Sequence, residues 1–312
     1  SLIMKILGIG NAIVDVICKV DDDFINQNGL TKSTMKLIFE ENEFKKLLSN
    51  LKIEKTVSGG SVANSIVGLS QLGNKVGFIG KISDDDLGNK YEKGLKKENV
   101  EFFYSKKKEI VPTGTCLILI TPDSERTMCT FLGTAGKINE QDVSPDVIKN
   151  SELILLEGYL WDEGDPKKAF DKAISSANKV AMSLSDQFCV ERHKKNFLDL
   201  VKNKLEIIFA NEQEILSLID AKSIREAISF SKQLNKKIII TRGEKGALAI
   251  YQNKVYECPA KKNLKIVDLT GAGDLFAAGY LHGTINNLSI QESLEKGTEL
   301  SSKIIEKIGA RI

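Results

Sequence analysis

Leu153-Ile154-Leu155-Leu156, Val180-Ala181-Met182-Ser183-Leu184, Ile207-Ile208-Phe209-Ala210 and Lys237-Ile238-Ile239-Ile240-Thr241 are the runs that decide the fold. Each is short and apolar and reads as a strand. Helical patterns over 166–178, 193–202, 212–219 and 224–234 separate or flank them. Strands alternating with helices of this length predict a parallel α/β sheet, because a parallel neighbour is reached only through a crossover.

Outward from this block the pattern holds in part. Towards the N-terminus, 5–9 predicts a strand ending at Gly10-Asn11, and 12–20 a second apolar stretch carrying one acid, Asp15. Segment 42–51 reads as an amphipathic helix, 62–72 as a helix with Gly73 at its end, 75–80 as a strand and 84–99 as an exposed helix. Segment 101–132 departs from the alternation, with β-rich runs at 115–121 and 127–132 around a Pro122-Asp123-Ser124 turn. Beyond Thr241 come hairpins over 246–257 and helices flanking Ser289 and Lys303. No repeat, low-complexity tract or linker interrupts the chain, so 1–312 is expected to be a single domain, with Ser1-Leu2-Ile3 read as an extension ahead of a native Met4.

At 312 residues, 42% hydrophobic and 28% charged, the chain has the composition of an ordinary soluble globular protein. Lys plus Arg number 44 against 42 for Asp plus Glu, a balance that argues against binding nucleic acid through bulk charge. Five widely spaced cysteines and two histidines form no zinc pattern and fit free thiols in a reducing cytoplasm. No apolar run has the length of a membrane span and no signal-peptide pattern opens the chain, so a cytoplasmic protein is expected.

The chemistry concentrates in Asp268-Leu269-Thr270-Gly271-Ala272-Gly273-Asp274, which precedes the apolar run 275–281. Gly271, Ala272 and Gly273 expose consecutive amides where a helix begins, and such a terminus attracts anions. Asp274 sets a carboxylate beside them, able to take the proton of an attacking hydroxyl. An anion hole with an adjacent base suits phosphoryl transfer. A second cluster, Gly59-Gly60-Ser61-Val62-Ala63-Asn64-Ser65, would let backbone approach a ligand closely at Gly60. Short polar side chains of fixed geometry recognise sugar hydroxyls, which makes Asn11, Asp15 and Asn64 the candidate acceptor contacts with Gly60. An acid inside Ile13-Val14-Asp15-Val16-Ile17 needs a partner, for which a diol would serve, or must point from an edge strand into solvent.

Together the two glycine clusters resemble the paired signatures of the PfkB, or ribokinase-like, family of carbohydrate kinases, with Leu269 at a position usually small or β-branched. The resemblance implies a three-layer α/β/α sandwich with a mostly parallel sheet. It also implies a small β lid drawn from about 12–39 and 101–132. It assigns Asp274 as base and Gly271, Ala272 and Gly273 as the phosphoryl site. Asn211-Glu212-Gln213-Glu214 resembles the family's Asn-x-x-Glu element, which would set Asn211 and Glu214 near Mg²⁺ and phosphates, through water. The same residues are also ordinary helix-start chemistry. Thr241-Arg242-Gly243-Glu244-Lys245-Gly246 resembles the nucleotide-side loop, implicating Thr241, Gly243 and Gly246 in ATP binding. Arg126 would serve as a lid cation for phosphate, or else is a surface arginine.

The resemblance therefore implies a kinase that moves the γ-phosphoryl of MgATP to a primary hydroxyl, with a monovalent cation such as K⁺ as a further cofactor. It also implies a monomer or a homodimer through the lid. Motifs such as Glu157-Gly158-Tyr159-Leu160-Trp161 look most like bacterial adenosine or sugar kinases, and adenosine leads as acceptor. Ribose, ketohexoses and 2-keto-3-deoxygluconate are the alternatives. Phe131, Tyr159 and Trp161 are candidates for a base slot or for core. Gly8-Ile9-Gly10-Asn11-Ala12-Ile13 begins like a dinucleotide fingerprint but has Ile13 at the third glycine, and no P-loop occurs. A sugar-binding regulatory protein is the non-enzyme alternative.

Overall fold

The computed structural model describes residues 4–312, so the Ser1-Leu2-Ile3 extension lies outside the described residues. The strands are β1 (Met4–Ile9), β2 (Ile13–Lys19), β3 (Met35–Leu37), β4 (Lys55–Gly59), β5 (Val76–Ile79), β6 (Glu101–Phe102) and β7 (Thr115–Ile120). They continue with β8 (Arg126–Phe131), β9 (Ser151–Glu157), β10 (Val180–Ser183), β11 (Ile207–Asn211), β12 (Lys237–Thr241), β13 (Ala247–Tyr251) and β14 (Lys254–Cys258). The helices are α1 (Asp22–Gln27), α2 (Glu41–Ser49), α3 (Ser61–Gln71), α4 (Asp86–Lys97), α5 (Pro145–Lys149) and α6 (Asp165–Ser176). Then follow α7 (Gln187–Arg192), α8 (Lys194–Asn203), α9 (Glu212–Leu218), α10 (Ile224–Lys232), α11 (Ala272–Ile285) and α12 (Ile290–Ile304).

The large sheet has nine strands in the order β14-β13-β12-β11-β10-β9-β1-β5-β6, parallel from β12 to β6, with an antiparallel hairpin on the β12 edge. Apolar runs such as Ile238-Ile239-Ile240 are buried because helices cover both faces. Residues of α3, α4, α11 and α12 pack one face, and those of α6, α8, α9 and α10 the other. The expected three-layer sandwich is present. From β1 the chain builds outward first through β5 and β6, then returns to place β9 on the other side of β1. That reversal opens a crevice at the carboxyl ends of β1 and β9, the place where open α/β sheets bind ligands.

A second sheet of five strands, ordered β3-β8-β7-β2-β4, forms the lid. Alternation along its strands sends Val14, Val16, Leu117, Leu119, Cys129 and Phe131 into the main core. The opposite face carries Ile13, Ile17, Cys116, Ile118, Ile120 and Met128 around Asp15. The expected lid limits of 12–39 and 101–132 need two corrections. Glu101–Phe102 pairs with β5 at the edge of the large sheet, and Lys55–Gly59 joins the lid against β2. Parallel pairing of Phe102 with Phe78 stacks the two rings and packs Phe102 against the main core.

All five cysteines are free and buried, as the reading of unpaired thiols expects. No helix among the described residues is long and apolar enough to cross a membrane.

α11 and α12 approach closely because glycines face the partner backbone: a Cβ on Gly279 would lie 2.4 Å from the Lys296 carbonyl oxygen. Gly279→Ala is therefore expected to destabilise the fold by about 1–3 kcal/mol, read by chemical denaturation. Wild-type stability in that variant would contradict the packing described.

Candidate active site

Two helix N-termini meet at the crevice. α11 starts from Gly271, whose φ of 79° places it in the left-handed region, and no side chain caps it. The Ala272 amide turns back to the Leu269 carbonyl at 3.2 Å and that of Leu275 to Gly271 at 2.9 Å. The amides of Gly273 and Asp274 between them have no backbone acceptor, as the first turn of a helix dictates. A Cβ at Gly273 would meet nothing within 4 Å, so an anion can approach.

Asp274 stands in that first turn and faces the start of α3. Ser61 Oγ donates to its Oδ1 at 2.5 Å and Asn64 Nδ2 to its Oδ2 at 2.9 Å. Ser65 Oγ donates to its backbone carbonyl at 2.7 Å. Burial pushes the Asp274 pKa up, against the Asn64 and Ser61 hydrogen bonds and the Arg311 charge. The result is a carboxylate held in one orientation with raised basicity.

Asp15 lies beside it on β2. Burial raises its pKa to about 7, a shift that Arg311 and Arg126 oppose and Asp274 reinforces. The glycine pair exists for close approach: a Cβ on Gly59 would lie 2.5 Å from Asp15 Oδ2, and one on Gly60, at φ 103°, 2.2 Å from the Asn11 carbonyl oxygen. Asn11 is buried, donates from Nδ2 to the Tyr159 carbonyl at 3.2 Å, and leaves Oδ1 without a partner. A buried amide oxygen without a donor is costly, and it is open to a hydrogen-bond donor from a ligand. Asn11, Asp15, Gly60, Asn64 and Asp274 thus converge, although 210 residues separate Asn64 from Asp274.

The sequence reading had not singled out Glu157, which closes β9. Its Oε2 accepts from the Val62 amide at 2.8 Å, so it caps the start of α3 from below. Burial raises its pKa to about 8, with the Asp274 charge adding to the effect and the Val62 hydrogen bond opposing it. A lone acid ending the apolar run 153–156 is the signal that could have found it. Ser61, Arg311 and Asp268 were likewise not assigned.

At the carboxyl ends of β11 and β12, Asn211 and Thr241 stand side by side. Asn211 and Glu214 make a capping box: Asn211 Oδ1 accepts from the Glu214 amide at 2.8 Å, and Glu214 Oε1 from the Asn211 amide at 3.1 Å. The helix-start reading is thereby realised, and it leaves Glu214 a second carboxylate oxygen. Burial and the neighbouring Asp186 push the Glu214 pKa to about 7. A buried acid next to a second acid suits Mg²⁺, which takes one or two carboxylates together with phosphates and water. No three-acid, histidine or cysteine cluster for a metal exists among the described residues. Gly243 (φ 58°) and Gly246 (φ 90°) shape the loop after β12, where Arg242 pairs with Glu212 at 3.2 Å. Arg126 reaches from β8 to Asp268 at 3.3 Å, so in the ligand-free protein it is paired rather than free on the surface. Phe131 stacks on Phe44 and Trp161 packs on His193 and Phe197, which assigns both to core; Tyr159 is 42% exposed.

Because Glu157 binds its proton more tightly folded than unfolded, its contribution to stability falls as pH rises from about 4.5 towards 8. Glu157→Gln keeps an oxygen for the Val62 amide and removes that loss. It is expected to be more stable than wild type at pH 8 by roughly 2–4 kcal/mol and equal to it at pH 4, measured by denaturation without ligands. A pH-independent difference would contradict the buried acid.

Residues 17–312 match the pfkB family carbohydrate kinase. The adenosine kinase of Sinorhizobium meliloti is 34% identical and superposes with a TM-score of 0.88, over 99% of this chain and 96% of that one. A probable sugar kinase of Rhizobium etli is also 34% identical, with a TM-score of 0.87 over 100% and 96%. The 5-dehydro-2-deoxygluconokinase of Clostridium perfringens is 27% identical over 86% of this chain and 83% of its own length. The family match and the shared fold place the chain in the pfkB family of carbohydrate kinases, and it is a phosphotransferase.

Proposed function

We propose that this kinase transfers the γ-phosphoryl of ATP to the primary hydroxyl of a nucleoside, adenosine first. The observation that carries the choice is the lid face around Asp15. A carboxylate able to accept from a ribose diol is set among Ile13, Ile17, Cys116, Ile118, Ile120 and Met128. Ile13, Cys116 and Ile118 are already buried, but Ile17, Ile120 and Met128 are only partly so, and a base attached to the sugar would cover them where a sugar alone would not. An acidic acceptor would set its own charge near Asp15 and Asp274. The 34% identity to the Sinorhizobium meliloti adenosine kinase supports the same choice.

In this reading the acceptor is held by Asp15, Asn64, the Gly60 backbone and the unpartnered Asn11 Oδ1. Asp274 receives the hydroxyl proton as that oxygen bonds to the γ-phosphorus and the bond to ADP breaks. The first-turn amides of α11 take up charge on the phosphoryl oxygens, and the lid excludes water. Glu214, with Asp186 and Asn211, would hold Mg²⁺ through water, where the ion neutralises phosphate charge.

ADP release with adenosine, other nucleosides, ribose, fructose, 2-keto-3-deoxygluconate and 5-dehydro-2-deoxygluconate is the deciding assay. Adenosine is expected to give the highest kcat/KM; a sugar acid ahead of it would overturn the nucleoside reading, and silence throughout, with ATP bound, would favour a regulatory binder. Asp274→Asn is expected to lower kcat by at least about 10²-fold with substrate binding nearly intact. Protonated Asp15 cannot accept from both hydroxyls, so kcat/KM should rise with pH through a midpoint near 7. A profile flat from pH 6 to 8 would remove Asp15 from that role.

A further inference from the structure

Arg311 lies on the segment after α12, and neither the glycine clusters nor the phosphoryl-transfer chemistry calls for it. Its guanidinium donates to Asn64 Oδ1 and to the Ser58 carbonyl of β4. The segment is fixed there by two further contacts: the Gly309 amide donates to Asp268 Oδ2 at 2.9 Å, and Ala310 covers Gly271 so closely that a Cβ on Gly271 would lie 2.5 Å from the Ala310 Cβ.

Asn64 has one oxygen and one NH₂, and they face different partners. With Oδ1 engaged by Arg311, Nδ2 is the group turned to Asp274 Oδ2, at 2.9 Å. Rotating the amide by half a turn would set Oδ1 against the carboxylate and the NH₂ against the guanidinium, two repulsive contacts in place of two bonds. We propose that Arg311 is a positioning residue for phosphoryl transfer: it locks the Asn64 amide, and through it the orientation of the Asp274 carboxylate. The proposal rests on the kinase reading for its catalytic consequence and on geometry alone for the lock.

The charge of Arg311 acts in the same place. It lowers the pKa of both Asp15 and Asp274 against burial. The other groups facing Asp15 are Arg126 from β8, Asp274 from α11, the Cys116 thiol from β7 and the Tyr91 phenol from α4. Asp274 is also faced by Glu157 from β9. Of these only Arg126 and Arg311 are cationic, and Arg126 is already paired with Asp268. Loss of Arg311 therefore moves the acid limb of activity upward.

The test compares wild type, Arg311→Ala and Arg311→Lys with MgATP and the best acceptor from pH 5.5 to 9. Arg311→Ala is expected to lose about tenfold in kcat, with acceptor KM within about threefold. Its acid limb should sit higher than in wild type, and Arg311→Lys should restore the limb more fully than kcat, because an ammonium supplies charge but not the fork. In the ligand-free protein the Asn64 side-chain amide, identified by its loss in Asn64→Asp, should exchange slowly with solvent in wild type and fast in Arg311→Ala. A variant with unchanged kcat and acid limb, or with a lower KM alone, would make Arg311 an occupant of the pocket and overturn the proposal. If wild type phosphorylates nothing, the kinase reading fails, and the amide exchange still decides the lock.

Discussion

The site depends on the packing of α3 against α11. Gly68 faces Leu275 and Ala278, with an added Cβ only 3.0 and 3.2 Å from them, so the two helices run close and their N-termini meet at one point. Hydrogen bonds from Ser61, Asn64 and Ser65 to Asp274 are the polar end of that contact. One helix brings Ser61, Asn64 and Ser65, the other the Asp274 carboxylate and the free amides. Their relative position is a matter of core packing, which tolerates little adjustment.

The second organising fact is electrostatic. Asp15, Glu157 and Asp274 are acids gathered in a region where burial raises the pKa of each. Such a cluster destabilises the empty protein as pH rises and is tolerated where binding or chemistry needs it. Hydrogen-bond donors compensate selectively. Asp274 has two side-chain donors, Glu157 has the Val62 amide, and Asn11 keeps an oxygen unsatisfied.

The large sheet was legible in the sequence because helices bury it on both sides, leaving strands as plain apolar runs such as 238–240. β4, Lys55-Thr56-Val57-Ser58-Gly59, was not, since it is an edge strand with exposed residues at its start. β3 is three exposed residues placed by pairing with β8, which no local pattern announces. In the site, glycines were readable because close approach restricts those positions to glycine. Glu157 and Arg311 were not, because each acts through a partner far away in sequence: Val62 lies 95 residues from Glu157, and Asn64 lies 247 from Arg311. Asn211 and Glu214 show the opposite limit, where one motif serves a helix cap and leaves a carboxylate oxygen over.

The small sheet also constrains how the chain reaches its native state. β2 pairs with β7 in parallel, Val14 opposite Thr115, and the intervening chain contains α3, β5, α4 and β6, all parts of the large domain. Closing so long a loop costs entropy that only a formed intervening unit reduces. Pairings of this separation form slowly. This topology favours condensation of the β1-α3-β5 unit of the large sheet before β2 and β7 pair. A site that draws Asp15 from the small sheet and Asp274 from α11 would then form late, and its formation would report completed folding.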